Sequence, residues 1–503
     1  MNRLARMMAL TLALVCLTVI GAGIAVAHLL PARLALFQMP QVSGARLATP
    51  GPSLPGDSGV PQSTGSGAAT AAGVSASLGG LIGSGNLGPR VGALVTDLST
   101  GHVLYSLNPA AGFVPASTTK IATAVAALDT LGPGARFTTA VVLRRRSPST
   151  SGPGGQGSTA GNGPGVVRIA LVGGGDPTLA AGPYPAADYP QPATLRALAA
   201  KTAKALRGRR IAVVRVGYDD SRFGGPAVAP GWKPFGMPGN YVSSGNVTPI
   251  TGLEVDQGRL TASGAPDDSD DPGNYRPRSL TPSRDAARAF GKFLRKDGVI
   301  VRGQPGRAAA PPHASPLAAV HSPPLAEIVQ QMLAESNNVI AETLARQVAI
   351  ATRRPGTFKG GADAVMAVAA HFKVTGLRLV DGSGLSPVDR ISPRALVSLV
   401  RLAARSGPPG LRPVITGLPV AGFSGTLGPG SFFGPFGPNA LGTVRAKTGN
   451  LSRVATMAGV AYTANGQVLA FAFMGNDFSQ RLGALPELTL AQLATALAGC
   501  GCG

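Results

Sequence analysis

From Ala48 to about Gly88 the chain is almost wholly Gly, Ser, Ala, Pro and Thr. That composition buries too little apolar area to offset the entropy of ordering it, so the segment reads as a tether. It divides the sequence into two parts with different physical prospects. Before it, Met1 to Arg6 carries two arginines, and Met7 to Ala27 is uncharged throughout and long enough to cross a bilayer core as a helix. Ala25-Val26-Ala27 also fits a small-x-small cleavage site. Both readings, an uncleaved membrane anchor and a cleaved signal, take the chain out of the cytoplasm, and the length of the run favours the anchor.

Everything that can fold lies after the tether, and it has no disulfide framework to lean on. The three cysteines are Cys16 in the apolar run and Cys500 and Cys502 at the extreme C-terminus, the last two spaced too tightly for an ordinary structural bridge. The body therefore rests on its core, for which 44% hydrophobic residues in 503 suffice. A net charge of +22 suits an anionic partner such as a cell-wall polymer. The basic residues are scattered, however, with small knots only at Arg144–Arg146 and Arg207–Arg210, and aromatic residues are 5% of the chain. A nucleic-acid-binding surface is not the reading that follows.

Along the body, Val91–Leu107 reads as a hairpin turning at Ser99-Thr100-Gly101, and Ser117–Leu128 as an Ala-rich buried helix stopped by Gly132-Pro133. Strand-like runs at Thr138–Leu143 and Val166–Val172 flank a Gly/Ser/Pro loop, followed by a helix at Leu195–Leu206, a strand at Ile211–Val216 and a loop-rich region with the single Trp232. Helical periodicity returns at Ser283–Asp297 and from Pro324 to Ala349, interrupted by Ser336-Asn337-Asn338. Val454–Tyr462 and Val468–Met474 flank Asn465-Gly466, the strongest hairpin turn in the chain, and a last helix runs from Ala484 to Ala498.

Several motif matches carry no chemistry. Gly83-Ser84-Gly85-Asn86-Leu87-Gly88 has the spacing of a dinucleotide fingerprint but follows the tether rather than a strand. Gly56-Asp57-Ser58-Gly59 lies within the tether, and Asp267–Asp271 lacks the ligand ladder of a calcium loop. The five histidines, His28, His102, His313, His321 and His371, have no metal-ligand spacing and supply no base for a Ser-His-Asp triad.

Ser117-x-x-Lys120 supplies a different base. Residues three apart on a helix share a face, so the amine reaches the hydroxyl, and burial in a cleft lowers the lysine pKa enough for its neutral form to take the proton. A capped helix start accounts for the same residues. Ser336-Asn337-Asn338 places polar side chains inside an apolar helical region, either facing a cleft or capping a helix break. Lys447-Thr448-Gly449, on a strand before the terminal hairpin, can hold a carboxylate by charge and hydrogen bond, with Gly449 leaving room for a ligand backbone.

Together and in this order, these triplets resemble the active site of penicillin-recognising serine acyl-transferases. Gly173-Gly174-Gly175-Asp176-Pro177-Thr178-Leu179, Asp381-Gly382-Ser383-Gly384-Leu385-Ser386, Gly425-Thr426-Leu427 and Ala446-Lys447-Thr448-Gly449 narrow the resemblance to the D-alanyl-D-alanine carboxypeptidase/endopeptidase family, the class C low-molecular-mass penicillin-binding proteins or S13 peptidases. The resemblance implies an α/β (α+β) fold of the serine β-lactamase and penicillin-binding transpeptidase type, an antiparallel sheet between helices with a large inserted domain. The expected layout is an anchor or signal segment at 1–30, a tether at 31–86, the catalytic domain at 87–132 and 283–500, and an insert at 133–282. The implied activity is serine-type D-Ala-D-Ala carboxypeptidase, with endopeptidase action on cross-links left open.

In that resemblance Ser117 is the nucleophile, Lys120 its base and Ser336 the proton relay to the leaving amine. Asn338 binds the substrate amide, Lys447 and Thr448 hold the terminal carboxylate beside Gly449, and the backbone N–H groups of Ser117 and Asn450 form the oxyanion hole. Asn450 stands where the family usually carries Thr or Ser, which bears on substrate fit rather than on the backbone donor. The implied partners are peptidoglycan stem peptides, β-lactams as covalent inhibitors and the cell membrane through the N-terminal segment, with no cofactor, no metal and no nucleic acid. The implied location is extracytoplasmic, in the cell envelope. A β-lactamase of the same fold and a catalytically silent wall-binding scaffold are the rival readings.

Overall fold

The structure, a computed structural model, describes residues 68–144, 166–186, 189–226, 228–233, 237, 239–260, 277–405, 409–431 and 433–502. The N-terminal apolar run with Cys16, the acidic loop at 267–271 and most of the expected tether lie outside the described residues. Among the described residues no helix is long and apolar enough to cross a membrane.

The first half of the chain forms α1 (Ala71–Ile82), β1 (Arg90–Asp97), β2 (Val103–Leu107), α2 (Thr119–Leu131), β3 (Thr138–Arg144), β4 (Val167–Val172), α3 (Leu195–Gly208) and β5 (Val213–Asp219). There follow α4 (Pro282–Lys296), the short strands β6 (Ile300–Val301) and β7 (Gly306–Arg307), β8 (Pro316–His321), α5 (Leu325–Ala334), α6 (Asn338–Ala351) and α7 (Phe358–His371). The last third adds β9 (Leu377–Arg378), β10 (Arg390–Ile391), α8 (Pro393–Ala404), α9 (Arg412–Thr416), β11 (Val444–Leu451), β12 (Val454–Tyr462), β13 (Val468–Asn476) and α10 (Leu485–Ala498).

The main sheet is antiparallel, in the order β11-β12-β13-β1-β2. Side chains alternate between its faces. Ala470, Ala472 and Met474 of β13 face a core shared with α2 and α5 to α8, while Phe471 and Phe473 face α1 and α10. With both faces covered, β12 and β13 read as unbroken apolar runs rather than alternating ones. The Val91–Leu107 and Val454–Met474 hairpins form as the sequence predicts, the second closing at Gly466 with φ +82°.

A second, mixed sheet has the order β6-β5-β4-β3-β8, with β7 on β5. Its β4–β5 and β5–β6 pairs are parallel. Leu195, Leu198 and Leu206 of α3 and Phe290 and Leu294 of α4 bury against Val141, Ile169, Leu171 and Val214 of this sheet. The sheet and its helices extend to His321, so residues 283–321, expected with the catalytic domain, share a core with the insert.

One expectation is corrected here. The tether ends earlier than its composition suggests, because α1 forms within it. Thr70 accepts from Gly73 N at 3.1 Å as N-cap, and Val74, Leu78 and Ile82, one turn apart, bury against the C-terminal helix. Small residues elsewhere on the helix permit close approach to the chain end, where Thr70 N donates to Cys502 O at 2.8 Å. Local composition misses a helix whose stability comes from a partner more than 400 residues away. Cys500 and Cys502 lie side by side just after α10, with their Cα atoms 4.9 Å apart. Leu78 is completely buried. Leu78→Ala is expected to lower unfolding free energy by about 2–5 kcal/mol, measured by urea denaturation; an unchanged midpoint would show that α1 is not part of the cooperative core.

Candidate active site

The site gathers residues from four separate stretches of chain around one buried amine. Ser117 sits in a single 3-10 turn, Ala116–Thr118, that leads into α2. The main sheet fixes that turn. Asn476 Oδ1 accepts from Val114 N at 2.7 Å, and Thr456 Oγ1 and Thr118 Oγ1 both donate to Pro115 O at 2.7 Å. Ala116 is held at φ +47°, an unfavourable conformation for a residue with a Cβ. Its carbonyl lies so close to Gly384 that a side chain there would overlap it.

Lys120 follows one turn later with no solvent exposure. Its Nζ donates to Ser117 Oγ at 2.8 Å, to Asn338 Oδ1 at 2.7 Å and to Ser383 O at 2.9 Å. Burial pushes its pKa down to about 7 against the upward pull of Asp381 and Glu342. A free amine is therefore accessible near neutrality, as abstraction of the Ser117 proton requires.

The Ser336-Asn337-Asn338 triplet is both a helix break and part of the cleft. Helix α5 ends in a Schellman-type turn, with Asn337 N donating to Met332 O at 3.0 Å and Ser336 occupying the left-handed position at φ +54°, where Gly is usual. Asn337 then caps α6 by accepting from Ile340 N at 3.1 Å. This places Asn338 on the first turn of α6 beside Lys120. Its Nδ2 donates to Asn246 O, on a loop of the insert, at 3.0 Å. Among the described residues no hydrogen bond joins Ser336 Oγ to Lys120 or Ser117.

Strand β11 is the edge of the main sheet, and it lies against the nucleophile turn. A Cβ at Gly449 would stand 2.7 Å from Pro115 O and 2.9 Å from Ser117 N, besides meeting Thr456 Oγ1, so only glycine permits this approach. Lys447 is fully buried and donates to Thr448 O at 3.0 Å. Burial and the nearby Lys120 hold its pKa well below that of a free lysine. Thr448 Oγ1 donates to Thr426 Oγ1 at 2.7 Å, which joins Gly425-Thr426-Leu427 to the site. Asn450 turns its side chain away, its Nδ2 donating to Glu487 Oε1 at 2.9 Å.

Sequence reasoning missed the carboxylates behind Lys120. Glu342, Asp381 and Asp389 are all buried. Asp381 Oδ1 accepts from Gly384 N at 2.7 Å, and its Oδ2 accepts from Ser386 N at 2.7 Å and from Trp232 Nε1 at 2.8 Å. Burial and the Asp381 charge push the Asp389 pKa upward, which favours its protonated form. Glu342 and Arg346 occupy α6 one turn apart, two charges on a helix with no others, and that was the available signal. The Gly173–Leu179 block acts as a brace, since Gly174 O and Gly175 O accept from Gln347 Nε2 of α6 at 2.7 and 2.9 Å. Among the described residues no group of three or more His, Cys, Asp or Glu is placed to hold a metal.

A serine hydroxyl hydrogen-bonded to a buried lysine, faced by an Asn on one helix and a Lys-Thr-Gly strand on the other side, defines a serine acyl-transferring hydrolase. The sequence profile of the D-Ala-D-Ala carboxypeptidase 3 (S13) family matches residues 74–276 and 245–497. A carboxypeptidase of Mycobacterium tuberculosis is 37% identical over 437 residues, covering 86% of this chain and 85% of that one. Carboxypeptidase DacB of Mycolicibacterium smegmatis is 33% identical over 436 residues, with the same coverage. The crystal structure of penicillin binding protein 4 from Haemophilus influenzae superposes with a TM-score of 0.63 at 20% identity, covering 84% of this chain and 99% of that one, which bears out the fold. The chain belongs to the D-Ala-D-Ala carboxypeptidase 3 (S13) family and is a serine peptidase.

Gly449→Ala is expected to slow covalent reaction of a β-lactam at Ser117 by about tenfold or more, as misplacement of reacting groups does, read as the second-order rate of adduct formation. An unchanged rate would show that β11 does not fix the nucleophile turn.

Proposed function

We propose that the protein trims peptidoglycan stem peptides as a D-Ala-D-Ala carboxypeptidase through an acyl-enzyme on Ser117. The observation that carries this reading is the Lys120 Nζ to Ser117 Oγ hydrogen bond within a buried site. In the first step neutral Lys120 takes the Ser117 proton as Oγ attacks the carbonyl carbon of the penultimate D-Ala. The tetrahedral oxyanion is met by the N–H groups of Ser117 and Asn450. The Lys120 ammonium gives its proton up through Ser336, which relays it to the nitrogen of the leaving D-Ala; the C–N bond breaks, and an ester on Ser117 remains with Lys120 neutral again. Water then attacks the ester, returning the Ser117 hydroxyl and releasing the shortened peptide.

The substrate is held at both ends of the scissile bond. Asn338 binds the peptide amide, and Lys447 with Thr448 binds the terminal carboxylate, whose negative charge favours the Lys447 cation that burial opposes. A β-lactam places its own carboxylate and strained amide on the same groups, which supports acylation by penicillins. Cleavage of cross-links uses the same chemistry wherever the cleft admits a bulkier leaving group. The +22 charge and the uncharged Met7–Ala27 run support work at the cell envelope, with the N-terminal segment anchoring the enzyme to the membrane or directing its export.

Ser117→Ala is expected to abolish D-Ala release from a pentapeptide, followed by amino-acid analysis; release at the native rate would remove Ser117 from the mechanism. Because acylation requires neutral Lys120, its rate is expected to rise with pH through about 7 and to level off above it. A midpoint near 10 would mean that the buried site does not depress the lysine.

A further inference from the structure

A neutral lysine amine has two N–H donors and one lone pair, whereas the ammonium has three donors. Lys120 Nζ stands among three acceptors, Ser117 Oγ, Asn338 Oδ1 and Ser383 O. One arrangement of the neutral amine serves proton abstraction. Both N–H bonds go to Asn338 and Ser383, and the lone pair then faces the Ser117 hydroxyl. The Ser383 carbonyl is thus half of the device that aims the base. As a backbone atom in a turn, it is only as well placed as the turn itself.

Glu342 holds that turn. Its Oε2 accepts from Gly382 N at 3.0 Å and its Oε1 from Ser383 N at 2.9 Å, so the two peptide units that lead into the critical carbonyl are clamped by one carboxylate, while Asp381 Oδ1 accepts from Gly384 N at 2.7 Å, the N–H of the carbonyl's own peptide unit. From the other side Thr123, three residues after Lys120 on α2, donates through Oγ1 to Gly382 O at 2.6 Å. The turn also lies tight on α6, where a Cβ at Gly382 would stand 2.6 Å from Ala345 Cβ and 3.1 Å from Ala341 O. The clamp is dry and short, as preorganisation requires.

We propose that Glu342 is a positioning residue for the general base: by clamping the Gly382–Ser383 backbone it fixes the carbonyl that aims the Lys120 lone pair at Ser117. This rests on the reading of Ser117 as nucleophile and Lys120 as base. Lys120 faces Asp381, Glu342 and Lys447; Glu342 faces Asp381 and Arg346; Asp389 stands behind Asp381. Glu342→Gln keeps the side-chain volume but presents one acceptor and one donor to two backbone N–H groups. One clamp bond is lost, and a negative charge is removed from the vicinity of Lys120.

The test is the second-order rate of acylation by a penicillin as a function of pH, on the full chain, for the wild type, Glu342→Gln and Thr123→Val. Rates are normalised to the fraction of chain that carries the adduct at saturation, read by intact mass. Glu342→Gln is expected to acylate about tenfold or more slowly per active site, a part of what a positioned base contributes. The rise of its rate with pH is expected to move to lower pH, because Glu342, whose own pKa burial and Asp381 push up, favours the Lys120 ammonium to the extent that it is ionised, and that contribution is gone. Thr123→Val loosens the same turn without changing charge and is expected to be slowed with the rise in place. A Glu342→Gln protein with the native rate per active site, or one whose loss is only a smaller active fraction with the rise unmoved, overturns the proposal. If Glu342→Gln does not fold, Thr123→Val at the native rate per active site overturns it. A wild type that penicillin never acylates is a different failure, since it removes the nucleophile reading itself.

Discussion

An amine with no access to water is the constraint on which the rest of this structure depends. Burying an ammonium is costly unless it is hydrogen-bonded and paired, and the site meets that demand with three oxygen acceptors and a set of carboxylates. The same burial brings the free base within reach at neutral pH. Structure and chemistry therefore ask for the same thing: an environment dry enough to depress Lys120, yet polar enough to hold it in one orientation.

That orientation is assembled from distant segments at some cost in backbone strain. Ala116 at φ +47° and Ser336 at φ +54° each cost about 1–3 kcal/mol. The strain persists because the surroundings fix it. Asn476 and Thr456 of the main sheet grip the nucleophile turn, and a Schellman-type helix end followed at once by the Asn337 cap sets Ser336. The insert takes part as well. Asn246 O holds Asn338, Gln257 Oε1 accepts from Asn337 Nδ2 at 2.7 Å, and Trp232 reaches Asp381, so the segment between β5 and α4 braces the site.

The sequence was most legible where local pattern and tertiary role agree. Asn465-Gly466 between two apolar runs is a hairpin in any context, and the Ala-rich stretch after Ser117 is a buried helix because nothing on it resists burial. Ser117, Lys120, Asn338, Lys447 and Gly449 were readable as short motifs, and the structure brings Lys120 to Ser117 and Asn338 and lays Gly449 against the nucleophile turn. Helix α1 was not readable, since its Gly- and Ala-rich sequence acquires a reason to be helical only from the far end of the chain. The buried roles of Glu342, Asp389 and Asp381, the last of them named only as part of a motif block, were not readable for a related reason. A carboxylate in a sequence reads as surface, and burial becomes visible only when the backbone N–H groups that compensate it are in place. That α4 packs on the second sheet was not readable, because it has the same amphipathic pattern whichever sheet it covers.

The central claim, that Ser117 is an acylated nucleophile served by Lys120, is tested most directly by the intact mass of the full chain before and after brief exposure to a penicillin, with peptide mapping of the product. A stable adduct of one penicillin on the peptide containing Ser117 is the predicted result. An adduct on another residue, or an unmodified chain with the drug left intact, would contradict it.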